Sequence, residues 1–163
     1  MKNKKNQNPA NKIQDLQFFG EFGGVNPSIA DSSTFTYLAG KTMGDVFEGT
    51  RQGCYLYSRH TNPSNSYLGQ AISEMEYTKG AILSASGMGA ISSTILQICS
   101  SNDEIVSSRT IYGGTYAFMK NYLPKFKIKT TFVDTTKIDQ IESAITEKTK
   151  IIFCETMSNP LLE

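Results

Sequence analysis

The 163-residue chain has no tryptophan, one histidine (His60), three cysteines and five prolines, and its formal net charge is only +1. Each shortage removes a class of function. A lone histidine with no marked nucleophile or acid beside it cannot found a Ser-His-Asp triad, so His60 reads as structural or exposed. Cys54, Cys99 and Cys154 are odd in number and scattered, which fits neither a disulfide frame nor a zinc site. No metal is expected, and a reduced cytoplasmic setting fits best. No apolar run approaches the ~20 residues of a bilayer span. The opening, Met1 to Asn11, is rich in Lys and Asn and leads into no apolar stretch, so it is not a secretory signal. Near-neutral charge supplies no field to recruit nucleic acid or an anionic membrane.

What is present is an alternation. With 39 % hydrophobic and 19 % charged residues the composition is that of an ordinary globular chain. Seven glycines between positions 20 and 53 break any periodicity, and only Ser33 to Leu38 looks extended. Residues 1–56 therefore read as an N-terminal arm without its own core, the first twelve disordered and the rest wrapping over a partner subunit. From residue 57 to 163 the rhythm is regular. Asn62 and Pro63 open a helix as cap and first position, with Leu68, Ala71, Ile72, Met75 and Tyr77 as its stripe and Gly80 as its stop. Ala81 to Ser86 reads as a strand, and Met88 to Cys99 as a helix with Ile91, Ile95 and Ile98 on one face. Strands follow at Glu104–Ser108, Ile128–Asp134 and Lys150–Glu155. Between them lie a helix from Gly114 to Leu123, stopped by Pro124, and one carrying Ile138, Ile141 and Ile145, with Thr136 and Asp139 as a capping box. This is the pattern of an α/β fold, a mostly parallel sheet with helices on both faces. The chain ends at Glu163 directly after the last strand and a polar loop, with no helix to cover that strand, so it is expected to be truncated.

In such sheets ligands collect where loops leave the strand ends. One such junction is Ser86-Gly87-Met88-Gly89, a strand, a glycine turn and a helix start, whose amides and dipole suit a phosphate. It lacks the third glycine of a dinucleotide fingerprint and the Gly-Lys-Ser/Thr of a Walker loop. Tyr112 stands before Gly113 and Gly114, where its ring could lie on a planar ligand or pack on the core. Glu155, at the end of an apolar strand, is a surface charge or an orienting group. Asn159 before Pro160 is a turn residue or an amide aimed at a ligand oxygen. Arg59, with Tyr57 close by, is a solvated charge or a phosphate clamp.

Together, Tyr57-Ser58-Arg59 with Asn62-Pro63, Ser86-Gly87-Met88, Tyr112-Gly113-Gly114-Thr115 and Glu155-Thr156-Met157-Ser158-Asn159-Pro160 resemble, in order and spacing, the Cys/Met-metabolism (trans-sulfuration) pyridoxal-phosphate enzymes. That family includes cystathionine γ-synthase, cystathionine γ-lyase and β-lyase, methionine γ-lyase and O-acetylhomoserine sulfhydrylase. The resemblance implies a fold-type I transferase whose cofactor is pyridoxal 5'-phosphate. It implies that residues 57–163 are the first part of the cofactor domain, and that the enzyme is a homotetramer, a dimer of dimers, acting on a small amino-acid substrate. By the same resemblance Ser86, Gly87 and Met88 bind the cofactor phosphate, and Tyr57 and Arg59 reach the phosphate held by a neighbouring subunit. Tyr112 stacks on the ring and takes part in catalysis, Asn159 bonds the ring hydroxyl, and Glu155 supports the site from behind.

Departures from the pattern carry their own expectations. The family's Schiff-base lysine sits in a Ser-x-Thr-Lys context, which does not occur here. The acid that pairs with the pyridinium nitrogen and the substrate-gripping arginine also fall past Glu163. The chain by itself is thus expected to be inactive, the N-terminal part of a lyase or transferase working by γ-replacement or γ-elimination. Methionine γ-lyases typically carry cysteine where Gly114 stands, and Met157 replaces a common proline. Two other readings remain at this point: a non-catalytic phosphate- or nucleotide-binding α/β module, and a truncated partner subunit.

Overall fold

The computed structural model describes residues 8, 23–37, 39–51, 53–158 and 162. The expectation of disorder over residues 1–12 lies outside them apart from Asn8. The chain divides into two compact units, Met1–Leu83 and Ser84–Glu163.

In the first unit the arm is more ordered than its glycines suggest. Helix α1 spans Gly40–Phe47, where an irregular stretch was expected, and buries none of its residues. Gly49, at φ +70°, ends it: its N–H reaches Val46 O at 3.2 Å, and Thr50 N reaches Asp45 O at 3.0 Å. That paired ending needs the left-handed conformation glycine adopts freely. Helix α2, Pro63–Met75, begins as expected, with Asn62 Oδ1 accepting from Ser64 N at 2.9 Å. The Asn62 amide also donates to Ala30 O and Ser58 Oγ, both at 3.0 Å, pinning the arm to the helix start. The same arm forms an isolated antiparallel bridge between Thr34 and Tyr57. Tyr77, at φ 55°, turns the chain out of α2, so Gly80 is not its stop. The buried face of α2 is Gly69, Ala71 and Ser73, while Leu68 and Tyr77 are exposed. The reason is close approach. A Cβ at Gly69 would stand 3.0 Å from Ala81 O, so only a small residue fits where that backbone crosses.

Ala81–Ser86 forms no strand, and Ile82 is 98 % exposed. The expected apolar run is there, but an extended segment becomes a strand only when a neighbour takes up its backbone groups. No described residue does so.

The second unit holds a three-stranded parallel sheet in the order β2-β1-β3. Helix α3, Gly87–Ile98, is followed by β1, Glu104–Ser108, then by α4, Gly113–Ala117. Strand β2 is Lys129–Val133, α5 is Ile138–Ala144, and β3 is Thr149–Phe153. The central strand β1 pairs Val106 with Thr131 on one side and Ile152 on the other. Covered on both faces, it reads as a nearly continuous buried run. Ile95 of α3, Cys99 just past its end, Ile105, Ile111, Met119, Leu123 and Ile128 form the core. Cys99 takes the place expected of Ile98, which is 50 % exposed, and burial pushes its thiol pKa up, with Asp103 adding to the rise.

Two local expectations change. Pro124 does not stop the helix after α4. The chain widens into a π turn at Phe118–Tyr122 and tightens into a 3-10 turn at Leu123–Phe126 that contains the proline. A proline clashes with the carbonyl four residues back, and the widened turn relieves it. At α5 the cap is Lys137, without a side-chain bond, so there is no capping box. Thr136 instead donates its N–H and hydroxyl to Asp134 Oδ1, at 3.2 and 2.6 Å.

Candidate active site

The chain passes from β1 to β2 on one flank of β1 and then crosses to β3 on the other flank. β1 and β3 are neighbours, so the loops leaving their carboxyl ends stand side by side across the gap where open α/β sheets collect ligands. Glu155, two residues past β3, spans it. Its two carboxylate oxygens accept from Tyr112 N at 3.1 and 3.0 Å. A carboxylate placed at the start of α4 also complements the positive end of that helical run.

This grip sets where Tyr112 stands. Tyr112 is 48 % exposed, and its ring lies across Gly114. A Cβ at Gly114 would come within 2.5 Å of Tyr112 Cε1, so any larger residue there must move the ring. A polar cavity of about 360 Å³ adjoins, lined by Ser108, Arg109, Asp134, Thr136, Glu155 and Thr156. Arg109 Nη2 lies 3.2 Å from Asp134 Oδ2. The hydrogen bonds from Thr136, first its hydroxyl and then its amide, hold the Asp134 carboxyl below the usual carboxylate range, and Arg109 adds to this.

At the start of α3, Ser86 is the cap. Its Oγ accepts from Gly89 N at 3.0 Å, and Ser84 Oγ donates to Ser86 O at 2.8 Å. Gly89 must be small for that cap to close, since a Cβ there would meet Ser86 Oγ at 3.0 Å. Ala90 N bonds Ser86 O. Within the first turn, the amides of Gly87 and Met88 have no acceptor among the described residues. Gly87 faces open space. Thr115 ties this junction to the Tyr112 segment: fully buried, its hydroxyl donates to Met88 Sδ at 3.6 Å. The sequence placed Thr115 inside a motif but assigned it no task. A small polar residue one turn into a helix gives no sign of what it meets.

Tyr57 and Arg59 lie together in the first unit, the guanidinium 5.1 Å from the centre of the tyrosine ring. Both are exposed, as is His60. Asn159 lies outside the described residues. No group of three or more His, Cys, Asp or Glu side chains that could hold a metal occurs among the described residues. Among them, too, no helix is long and apolar enough to cross a membrane.

The family described as Cys/Met metabolism PLP-dependent enzyme matches residues 11–163. The chain belongs to this family. It is 41 % identical over 160 residues to a methionine gamma-lyase of Arabidopsis thaliana, covering 94 % of this chain and 36 % of that protein. A cystathionine gamma-lyase of Bacillus subtilis is 38 % identical over 109 residues, covering 67 % of this chain and 28 % of that protein. Among solved structures, a putative O-acetylhomoserine (thiol)-lyase of Campylobacter jejuni superposes with a TM-score of 0.89 at 28 % identity. That superposition covers 97 % of this chain and 39 % of the other, which was solved with a pyridoxyl-lysine-5'-monophosphate residue. The fold is accordingly that of the fold-type I PLP enzymes. The chain spans little more than a third of the length of these relatives.

The residues fit the family's cofactor. Two amides at a helix start with no acceptor among the described residues are the kind of donor set that suits a phosphate. The half-exposed tyrosine ring belongs to a segment bonded to that same helix start.

Proposed function

We propose that the whole protein containing this chain is a cytoplasmic pyridoxal-phosphate enzyme of sulfur amino-acid metabolism. It carries out γ-elimination or γ-replacement on methionine, cystathionine or a homoserine ester. The observation that carries the reading is the pair of unclaimed Gly87 and Met88 amides, linked through Met88 and Thr115 to the segment that holds Tyr112. When bound, pyridoxal phosphate supplies the electron sink for charge developing on the substrate carbons.

This chain's residues do the rest. The Gly87 and Met88 amides hold the phosphate, with the dipole of the twelve-residue α3 behind them. Ser86 acts through the cap that leaves those amides pointing outward. Tyr112 covers the cofactor ring and moves a proton at its phenolic oxygen. Glu155 keeps the Tyr112 backbone in place, and the Asn159 amide meets the ring hydroxyl. Tyr57 and Arg59 present their paired ring and guanidinium to the phosphate of a neighbouring subunit in a dimer of dimers. The exposure of Val25, Ile29 and Phe47, at 88, 90 and 69 %, supports an arm that packs on another subunit.

The test compares Tyr112→Phe with the parent in the whole protein. The expected outcome is a fall in kcat for γ-elimination of about 10²–10⁴-fold, with cofactor still bound by its visible absorbance. Undiminished turnover would remove Tyr112 from catalysis. The 163 residues alone contain no Ser-x-Thr-Lys segment and are expected to release no 2-oxo acid from methionine or cystathionine.

A further inference from the structure

Arg59 stands on an exposed turn, and Tyr57 on the single bridge that leads into it. A loose turn would have to be ordered each time a ligand bound, which subtracts from affinity. This turn is held beforehand. Tyr57 O closes it by accepting from His60 N at 2.9 Å and Thr61 N at 3.2 Å. Ser58, the residue between the ring and the guanidinium, is tied to the arm twice. Its N–H donates to Ser33 O at 2.9 Å, and its hydroxyl donates to Ser32 O.

Asn62 joins these parts. It is only 7 % exposed, and its side chain makes three hydrogen bonds. Its Oδ1 accepts from Ser64 N at 2.9 Å, which caps α2. Its Nδ2 donates to Ser58 Oγ and to Ala30 O, each at 3.0 Å. Ala30 N in turn donates to Ser64 Oγ at 2.9 Å, so that arm residue is fixed to the helix start through both its backbone groups. Capping alone does not need an amide, because serine or aspartate caps a helix as well. The two N–H donors do what those residues cannot. The one hydroxyl proton of Ser58 is given to Ser32 O, so an oxygen in place of Nδ2 would meet only acceptors.

We infer that Asn62, through Ser58, is a positioning residue for the cofactor phosphate of the neighbouring subunit. It sets the turn that carries Tyr57 and Arg59 and holds no part of the cofactor itself. The inference rests on the reading of Tyr57 and Arg59 given above. It adds a residue whose evident task, the helix cap, hides a second one, since side chains that bind keep their geometry only when their supports are fixed.

The test titrates the cofactor-free whole protein with pyridoxal phosphate, followed by visible absorbance. Tyr57→Phe combined with Arg59→Ala is expected to raise Kd about 10–100-fold. Asn62→Ser, which keeps a capping oxygen and adds no charge, is expected to raise it about three- to tenfold. Added to the Tyr57→Phe, Arg59→Ala background, Asn62→Ser is expected to change Kd by less than about twofold, because it acts through the side chains already removed. Ser58→Ala deletes the relay and leaves the Asn62 cap intact, and its expected loss is about two- to fivefold. Ser73→Ala, which removes a buried hydroxyl of α2 bonded to Gln70 O, is expected to leave Kd unchanged. Sedimentation and circular dichroism verify that each variant keeps the parent's assembly and fold. A parent-like Kd in both Asn62→Ser and Ser58→Ala would overturn the positioning role. So would an equal loss from Asn62→Ser with and without Tyr57 and Arg59, which would make its effect purely structural. A parent-like Kd in the Tyr57→Phe, Arg59→Ala variant is a separate result: it removes those two side chains from the phosphate site, and the role of Asn62 with them.

Discussion

Asp134 shows how much a single side chain organises at the end of a strand. Its carboxylate accepts both the N–H and the hydroxyl of Thr136, and it pairs with Arg109 across the loop that leads to Tyr112. Those bonds favour the charged form and lower its pKa, the Thr136 hydroxyl contributing most. The sign follows from linkage. A depressed folded pKa gives stability that is fully present above the unfolded value, about 3.9, and lost as pH falls through the folded one. Thr136→Val is expected to bring the Asp134 titration midpoint up towards the ordinary carboxylate value, read from its carboxyl NMR shift. A midpoint that does not move would show that Thr136 is not the main cause. The sequence offered Thr136 as half of a capping box. Asp134, two residues before it, competes for the same donors at shorter range, so local reading alone could not choose between them.

Among the elements, the helical run from Gly113 to Phe126 departs furthest from its pattern. Leu123 N bonds Phe118 O, one residue beyond the α-helical partner, and so makes room for Pro124. The run ends with Lys127 at φ 60°, its N–H on Pro124 O at 3.0 Å and Ile128 N on Leu123 O at 3.1 Å. A lysine holds this left-handed position under strain that glycine would not feel. Lys127→Gly is expected to stabilise the chain by about 0.5–1 kcal/mol in urea unfolding, and a loss of stability would contradict this account of the turn. The glycine-ended helix α1 is the opposite case, with a clear stop at Gly49 and a body whose two glycines hide it.

For the whole molecule, the sheet decides where chemistry can happen. Ile105 is fully buried at the centre of the three strands and in the main core cluster. Ile105→Ala is expected to cost about 2–5 kcal/mol and to unfold Ser84–Glu163 cooperatively. A loss under about 1 kcal/mol would mean that the core lies elsewhere. The strand order β2-β1-β3 is what turns two separate motifs, one after β1 and one after β3, into a single crevice closed by Glu155 on Tyr112.

The sequence by itself determined the α/β alternation, the start of α2 at Asn62, the exact span of β1 and the family, because each rests on short-range patterns of apolar spacing, caps and motif order. It also placed Ser86, Gly87, Met88, Tyr112 and Glu155 on loops at the ends of elements. Only the tertiary structure decided that Ser86 spends its hydroxyl on Gly89, leaving two amides unclaimed. It alone showed that Thr115 reaches Met88 and that the Thr130 hydroxyl is buried with no hydrogen-bond partner among the described residues. The segment at Ala81–Ser86 marks the boundary between the two kinds of knowledge. Its apolar run is local, but a strand exists only through hydrogen bonds to a neighbour that no local pattern supplies.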